Sequence, residues 1–408
     1  MKRIRSRRGA RTWPRVVGVV LVVAFIGAGI ATYLYFQSPK ASSPNTEPAQ
    51  TVVPAKPVSI KANTLFVGDT YWGRYVNDWA TASPLKTAYP FSRLSEFQRQ
   101  SYDAWIANLE CPTVPGVSQT SAQEDATLTF NCSPDYLPEA AKWFTAVSLA
   151  NNHTDNQGAE GFSETKQQLD KNSIQYFGHY DPAVIEDGCE VISLPVTVAY
   201  DNGSNEHHKL PVAMCGYNGV FKIPPANAIE AIQKYSRVMP VIAMPHMGAE
   251  YQTAPDALRQ RTYRAMIDAG ADMVLGNHPH WVQSTESYKG KLIVYSMGNF
   301  IFDQQANKEV TRSAAINVVL STTDVPSIQL SNWLKLGDTC SGFKDDCLEQ
   351  AVSLNLEKLP MQYRYGVVGS SSANKITKPA SAAETSEILT RMNWDQTMSQ
   401  LQLPQASL

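Results

Sequence analysis

The chain is 408 residues long, is 43% hydrophobic, and carries 35 Lys and Arg against 37 Asp and Glu. A chain of that length and composition buries a large core, as one big domain or two smaller ones, which excludes a disorder-dominated protein. Seven of the bases fall within residues 1–15; without them 28 bases face 37 acids, and a net charge near −9 leaves no basic groove, so no nucleic-acid partner is expected.

Residues 1–15 hold Lys2, Arg3, Arg5, Arg7, Arg8, Arg11 and Arg15 and no acid, and Val16 to Phe36 holds no charge at all. As a helix, residues 16–36 span about 31 Å at ~1.5 Å per residue, enough for a hydrocarbon core of roughly 30 Å. One N-terminal transmembrane helix is expected, with the basic arm cytoplasmic and everything after Phe36 extracytoplasmic, so the bilayer is the first expected partner. The apolar run is longer than the ~7–15 residues of a signal-peptide core, and no A-x-A site follows it, which favours an uncleaved anchor. Residues 37–59 are rich in Pro, Ser, Thr and Ala and read as an extended tether.

From Ile60 the pattern turns globular. Short apolar runs at 64–68, 105–109, 146–150, 191–198, 238–245, 273–276 and 292–296 read as strands, and 91–102, 135–144, 158–171, 225–236 and 254–269 read as helices. That alternation predicts an α/β domain with mostly buried strands over 60–360. Residues 361–408 turn to Ser, Ala and Thr and read as a peripheral low-complexity tail with a short helix near 384–401. The six cysteines lie downstream of the anchor, with no C-x-x-C pair, so disulfides fit better than metal ligation. Pairing of neighbours, Cys111 with Cys132, Cys189 with Cys215 and Cys340 with Cys347, is the expectation, since each closes a short loop.

Residues of metal-binding type cluster just after the predicted strands. His278 and His280 follow 273–276 in GNHPH; Asp69 follows 64–68; Asn108 and Glu110 end the strand at 105–109; Asn151, Asn152 and His153 follow 146–150; His246 follows 238–245. Each has a plain structural reading as a turn residue, a helix cap or a satisfied core histidine. Open α/β folds bind ligands beyond the carboxyl ends of their strands, so the set is expected to converge. Carboxylate, amide and imidazole donors without Cys suit one or two divalent ions, Mn, Fe, Zn or Mg, and a two-metal site would act on a phosphoester. In that reading Asn152 is a ligand, His153 a general acid, and Asp155 a group that orients an imidazole. His179, His207 and His208 read as surface-loop residues.

Six ordered blocks, GDTYWGR (68–74), NLECP (108–112), ANNHTDNQG (150–158), HMGAEY (246–251), GNHPHWVQ (276–283) and YSMGNFIF (295–302), carry a resemblance. Over roughly 62–305 the chain resembles the CapA, or poly-γ-glutamate capsule biosynthesis, family, whose domain is similar to calcineurin-like metallophosphoesterases. The resemblance implies a four-layer α/β/β/α sandwich and a capsule role, with an anionic polymer or phosphoester substrate and membrane-embedded capsule synthetase subunits as partners. It also implies that Asp69 and His280 hold one metal, that Asn152, His246 and His278 hold the other, that Glu110 bridges, and that His153 is the catalytic histidine. Arg74, Asn108, Glu250 and Asn299 match motif positions, with substrate contact or support of the ligands as their implied roles. Two positions depart from the pattern. Asn156 stands where the family has Asp, with the acid moved to Asp155, and Tyr71 replaces the His of the Asp-x-His pair, leaving one site a ligand short. Two other functions fit the same residues: an outer-face phosphodiesterase or nucleotidase unrelated to capsule, and a non-catalytic polymer-binding scaffold.

Overall fold

A computed structural model describes residues 54–340 and 344–401. The basic arm, the apolar segment 16–36 and most of the tether lie outside the described residues, so the expected anchor does too. Among the described residues, no helix is long and apolar enough to cross a membrane.

The strands are β1 (Pro57–Thr70), β2 (Ala104–Leu109), β3 (Ala146–Ser148), β4 (Gln175–Phe177), β5 (Cys189–Tyr200), β6 (Asn205–Asn218), β7 (Val241–His246), β8 (Met273–Leu275), β9 (Thr285–Tyr288), β10 (Lys291–Val294), β11 (Asn299–Ile301), β12 (Arg312–Thr322), β13 (Met361–Ser371) and β14 (Lys378–Pro379). They form one mixed sheet that branches at β1. The first half of β1 pairs antiparallel with β5, its middle antiparallel with β12, and its second half parallel with β2 and, at Asp69, with β11. One branch continues β2-β3-β4, all parallel; the other runs β5-β6-β7-β8-β10-β9, with β6, β7, β8 and β10 parallel to one another. Because β5 and β6 reverse direction twice, β6 points the same way as β1. The carboxyl ends of both parallel runs therefore open on one edge, which is where the site residues sit.

Side chains alternate between two cores, as the period of a strand requires. Phe66, Ile106 and Ala146 face the residues of β5 to β8. Leu65, Val67, Trp105, Ala107 and Val147 face the opposite way, onto Trp72, Tyr136 and the Phe162–Leu169 face of the helix Gly158–Lys171. Three disulfides, Cys111–Cys132, Cys189–Cys215 and Cys340–Cys347, follow the expected neighbour pairing.

The α/β expectation holds, with corrections. Five of the strands β9 to β14, the short strand β4 and the long strand β6 have no counterpart in the sequence reading. His207 and His208 lie in β6 rather than in a loop. The expected helix over 91–102 is instead two short 3-10 turns, Leu94–Phe97 and Arg99–Ser101. Residues 361–371, read as part of a peripheral tail, form β13 and pair with β12 along its whole length. Gly366 and the run 369–371 mask the strand signal of Tyr363, Tyr365, Val367 and Val368, and pairing with β12 carries the strand through them. The expected terminal helix is two, Ala382–Met392 and Trp394–Gln400.

Candidate metal centre

Strand register brings the acidic and amide residues together. Asp69 of β1 is level with Asn108 of β2 on one side and Asn299 of β11 on the other. The glycines of two sequence blocks make this approach feasible: a Cβ at Gly68 would overlap the carbonyl oxygen of Gly298, and the Asp69 N–H donates to that carbonyl at 3.0 Å. His246 ends β7 and bridges to Asn277, which places GNHPH directly across from it. Both His278 (φ 95°) and His280 (φ 59°) adopt the left-handed region that β-carbon-bearing residues avoid. Such strain persists only where the surroundings over-determine it, as at ligand clamps.

Six predicted residues converge. His246 Nε2 is 2.9 Å from Asn152 Oδ1, 3.1 Å from His278 Nδ1 and 3.7 Å from Glu110 Oε1. Asp69 Oδ2 is 3.6 Å from His280 Nδ1. These atoms form two ligand groups, Glu110/His246/His278 and Asp69/Glu110/His280, in each of which the atoms lie within 4.8 Å of one another. With bond lengths of ~2.0–2.1 Å, the donors around one ion are separated by ~3.0–3.4 Å, close to the spacings around His246.

The residues fit a divalent cation chemically as well. Glu110 belongs to both groups and is fully buried; no N–H or hydroxyl donor reaches its oxygens, and the Asp69 carboxyl lies close enough to share a proton with it. An isolated buried carboxylate is expensive and native structures rarely keep one unpaired. Burial, reinforced by the neighbouring Asp69, raises Glu110 well above the ordinary carboxyl range, and burial pushes Asp69 up to about 7 against the N–H donors of Asn108 and His278. Burial likewise drives His246 and His278 far below the usual imidazole value, aided by the neighbouring histidines, and His280 down to about 4. The imidazoles are therefore neutral, and the close His–carboxylate contacts are not ion pairs. Neutral imidazole nitrogens beside carboxyls that resist ionising are the donor set a cation would turn into ligands.

The remaining expected residues separate into several roles. Asn299 accepts from His280 Nδ1 at 2.8 Å and donates to the Val310 carbonyl and to Gln304, which fixes the amide orientation and leaves His280 Nε2 with its lone pair. It holds a histidine in the way metal-site imidazoles are usually held. Asn108 donates to Asp69 at 2.9 Å and lies 3.2 Å from His246 Nδ1; it is fully buried between them. Arg74 is occupied: Nε and Nη2 form a fork onto the buried Asp303 and Nη1 reaches Asp125 at 3.1 Å. Glu250 is exposed at the mouth, where its charge raises both Asp69 and Glu110.

His153 is oriented by Asn156, whose Oδ1 is 2.9 Å from its Nδ1, and burial takes the imidazole down to about 4. This corrects the expectation for Asp155, which is exposed and is raised by partial burial; the residue three positions on reaches back across the turn, and its immediate neighbour does not. Tyr71 is turned away from the centre, its hydroxyl donating to Glu124 at 2.7 Å and its ring packed between Phe130 and Phe302. Sequence reading passes over Asp303, Glu124 and Phe130. Asp303 alone has a local signal, an acid directly after the last block; the others depend on contacts across long separations.

A sequence profile described as bacterial capsule synthesis protein matches residues 63–304. The chain belongs to that family. It is 27% identical to the capsule biosynthesis protein CapA of Bacillus anthracis over 306 residues, 71% of this chain and 69% of that one. It is 29% identical to the PGA biosynthesis protein CapA of Bacillus subtilis over 257 residues, 62% of this chain and 65% of that one, so the chain spans about two thirds of each relative's length. Among solved structures, a hypothetical protein from Thermus thermophilus aligns over 65% of this chain and 94% of its own, at 15% identity and a TM-score of 0.35.

Proposed function

We propose that this capsule-synthesis family member is a metal-dependent hydrolase, anchored by residues 16–36 with its domain outside the cell. It would act in the synthesis or export of poly-γ-glutamate or a related anionic capsule polymer, beside membrane-embedded synthetase subunits. The two branches of the sheet, meeting at β1 with helices outside them, would then be the four-layer plan of a metallophosphoesterase. The observation that carries the reading is Glu110, buried at the vertex common to two ligand groups with no N–H or hydroxyl donor on its oxygens.

Asp69, Glu110 and His280 would hold one divalent ion, and Glu110, Asn152, His246 and His278 the second. When bound, such a pair supplies Lewis-acid charge and lowers the pKa of water toward ~7. The chain's own residues do the rest. Asn299 and Asn108 fix the orientation of His280 and Asp69. The Oδ1 of Asn156 accepts from the Phe130 N–H, so the proton shared with His153 belongs to Nδ1, and the ring, kept neutral by burial, would act as general acid only after Nε2 takes up a proton. Glu250, which is exposed, would meet substrate through a hydroxyl or amide donor of the substrate rather than its anionic groups.

The test is turnover of phosphodiesters and phosphomonoesters by the full-length chain, with metal content measured on the same samples. Hydrolysis by the wild type, with metal and turnover lost together in His278→Ala/His280→Ala, is expected. A metal-free wild type that stays inactive after Mn or Zn is supplied would leave only a polymer-binding role.

A further inference from the structure

We infer that Phe130 is a positioning residue for His153, seated there by the disulfide-closed loop 111–132; the inference rests on the hydrolase reading above. Its ring stacks on the imidazole with centroids 4.0 Å apart and planes 25° from parallel. Its backbone N–H donates at 2.8 Å to the Asn156 Oδ1 that also holds His153 Nδ1. One residue thus fixes the tilt of the imidazole through its ring and the tautomer through its main chain. Aromatic stacking of this kind adds a directional term to simple burial.

The seat of Phe130 is itself built. The Arg74 guanidinium carbon lies 5.0 Å from the ring centroid, and the ring of Tyr71 stacks 4.8 Å away. Its carbonyl accepts from Gln157 Nε2, and the next residue, Asn131, exchanges two side-chain hydrogen bonds with the Val114 backbone. Glu124, from the same loop, accepts from Tyr71 Oη, Arg74 N and Asn131 N. The loop's two ends are joined by Cys111–Cys132, and Cys111 directly follows Glu110. One covalent staple therefore ties the carboxylate of the metal centre to the residue that holds the imidazole. In this arrangement Tyr71 is part of the wall behind Phe130.

The experiment uses the full-length chain labelled on its histidines, of which there are seven. Stacking predicts that the ring protons of His153 resonate upfield of those of the other histidines and return to ordinary positions in Phe130→Met, a ring-free change of similar volume. Turnover is compared on ethyl p-nitrophenyl phosphate, whose leaving group needs no proton, and ethyl phenyl phosphate, whose leaving group does. Phe130→Met is expected to lose about 10²-fold in kcat on the phenyl ester and less than ~3-fold on the p-nitrophenyl ester, with KM and metal content unchanged, because a misplaced acid costs most where protonation matters. If Phe130→Met does not fold, Asn156→Ala, which removes the second contact from a partly exposed position, is expected to show the same leaving-group selectivity. Ordinary His153 shifts in the wild type, or equal losses on both esters, would overturn the inference. A wild type inactive on both esters would sink the hydrolase reading instead, while the resonance positions still decide whether Phe130 holds His153.

Discussion

The two ligand groups share Glu110 but differ in their surroundings. Around His246 there are four donors with His246 itself: His278 and Asn152 approach its Nε2 within 3.1 Å, and Glu110 stands at 3.7 Å. Around His280 there are three, Asp69, Glu110 and His280. That second group is instead buttressed from outside, by Asn299 on His280 and by the Arg74–Asp303 fork, whose positive charge acts on both His280 and Glu110. A site can thus be completed with donors or held by its supports, and the account expects the first kind to bind its ion more tightly.

The largest expected effect removes a support. Arg74→Met would leave Asp303, 1% exposed, without its partner. Breaking a buried pair from one side costs ~3–5 kcal/mol, read as a lower unfolding midpoint in denaturant. Next, Asp69→Asn is expected to lose the ion of the three-donor group while the His246 group keeps its own, with turnover falling on the order of 10²-fold; loss of both ions would break the comparison. pH gives a smaller and graded effect. The Asp69 carboxyl is pushed to about 7 and Glu110 is raised as well, so both are protonated in acid in the ion-free protein. Cation binding needs them ionised, so affinity should fall as the pH is lowered, by at least about tenfold per pH unit below ~7, as followed by metal titration. The smallest effect is that of Asp155→Asn, expected to change stability by under ~0.5 kcal/mol and turnover hardly at all, since the residue is exposed and Asn156 does the orienting.

Most of the metal centre can be read from the chain because its residues follow apolar runs directly, and a strand's end is a place that sequence can mark. Asp69, Glu110, Asn152, His246, His278 and His280 all converge for that reason. What supports them is not readable in the same way. Phe130 and Glu124 reach the site from a loop whose course is set by the Cys111–Cys132 bond, and Asp303 meets Arg74 across 229 positions. In the fold, β6 escapes a sequence reading although Asn202-Gly203, at its turn from β5, is a hairpin signal; its polar start at Asn205–Lys209 and Pro211 hide the strand. β12 and β13 do carry strand formers, Ile316, Val318 and Val319 in one and Tyr363, Tyr365, Val367 and Val368 in the other, but the Ala, Ser and Gly beside them dilute the signal.

The central claim is that one buried carboxylate joins two metal sites, and metal stoichiometry tests it most directly. Elemental analysis of the full-length wild type beside Glu110→Gln, both saturated with Mn or Zn and then desalted, should find about two ions per chain in the first. The variant, folded to the same extent by circular dichroism, should keep less than one and lose turnover on the order of 10³-fold. Equal metal content in the two proteins would contradict the account, because Glu110 would then be a ligand to neither ion.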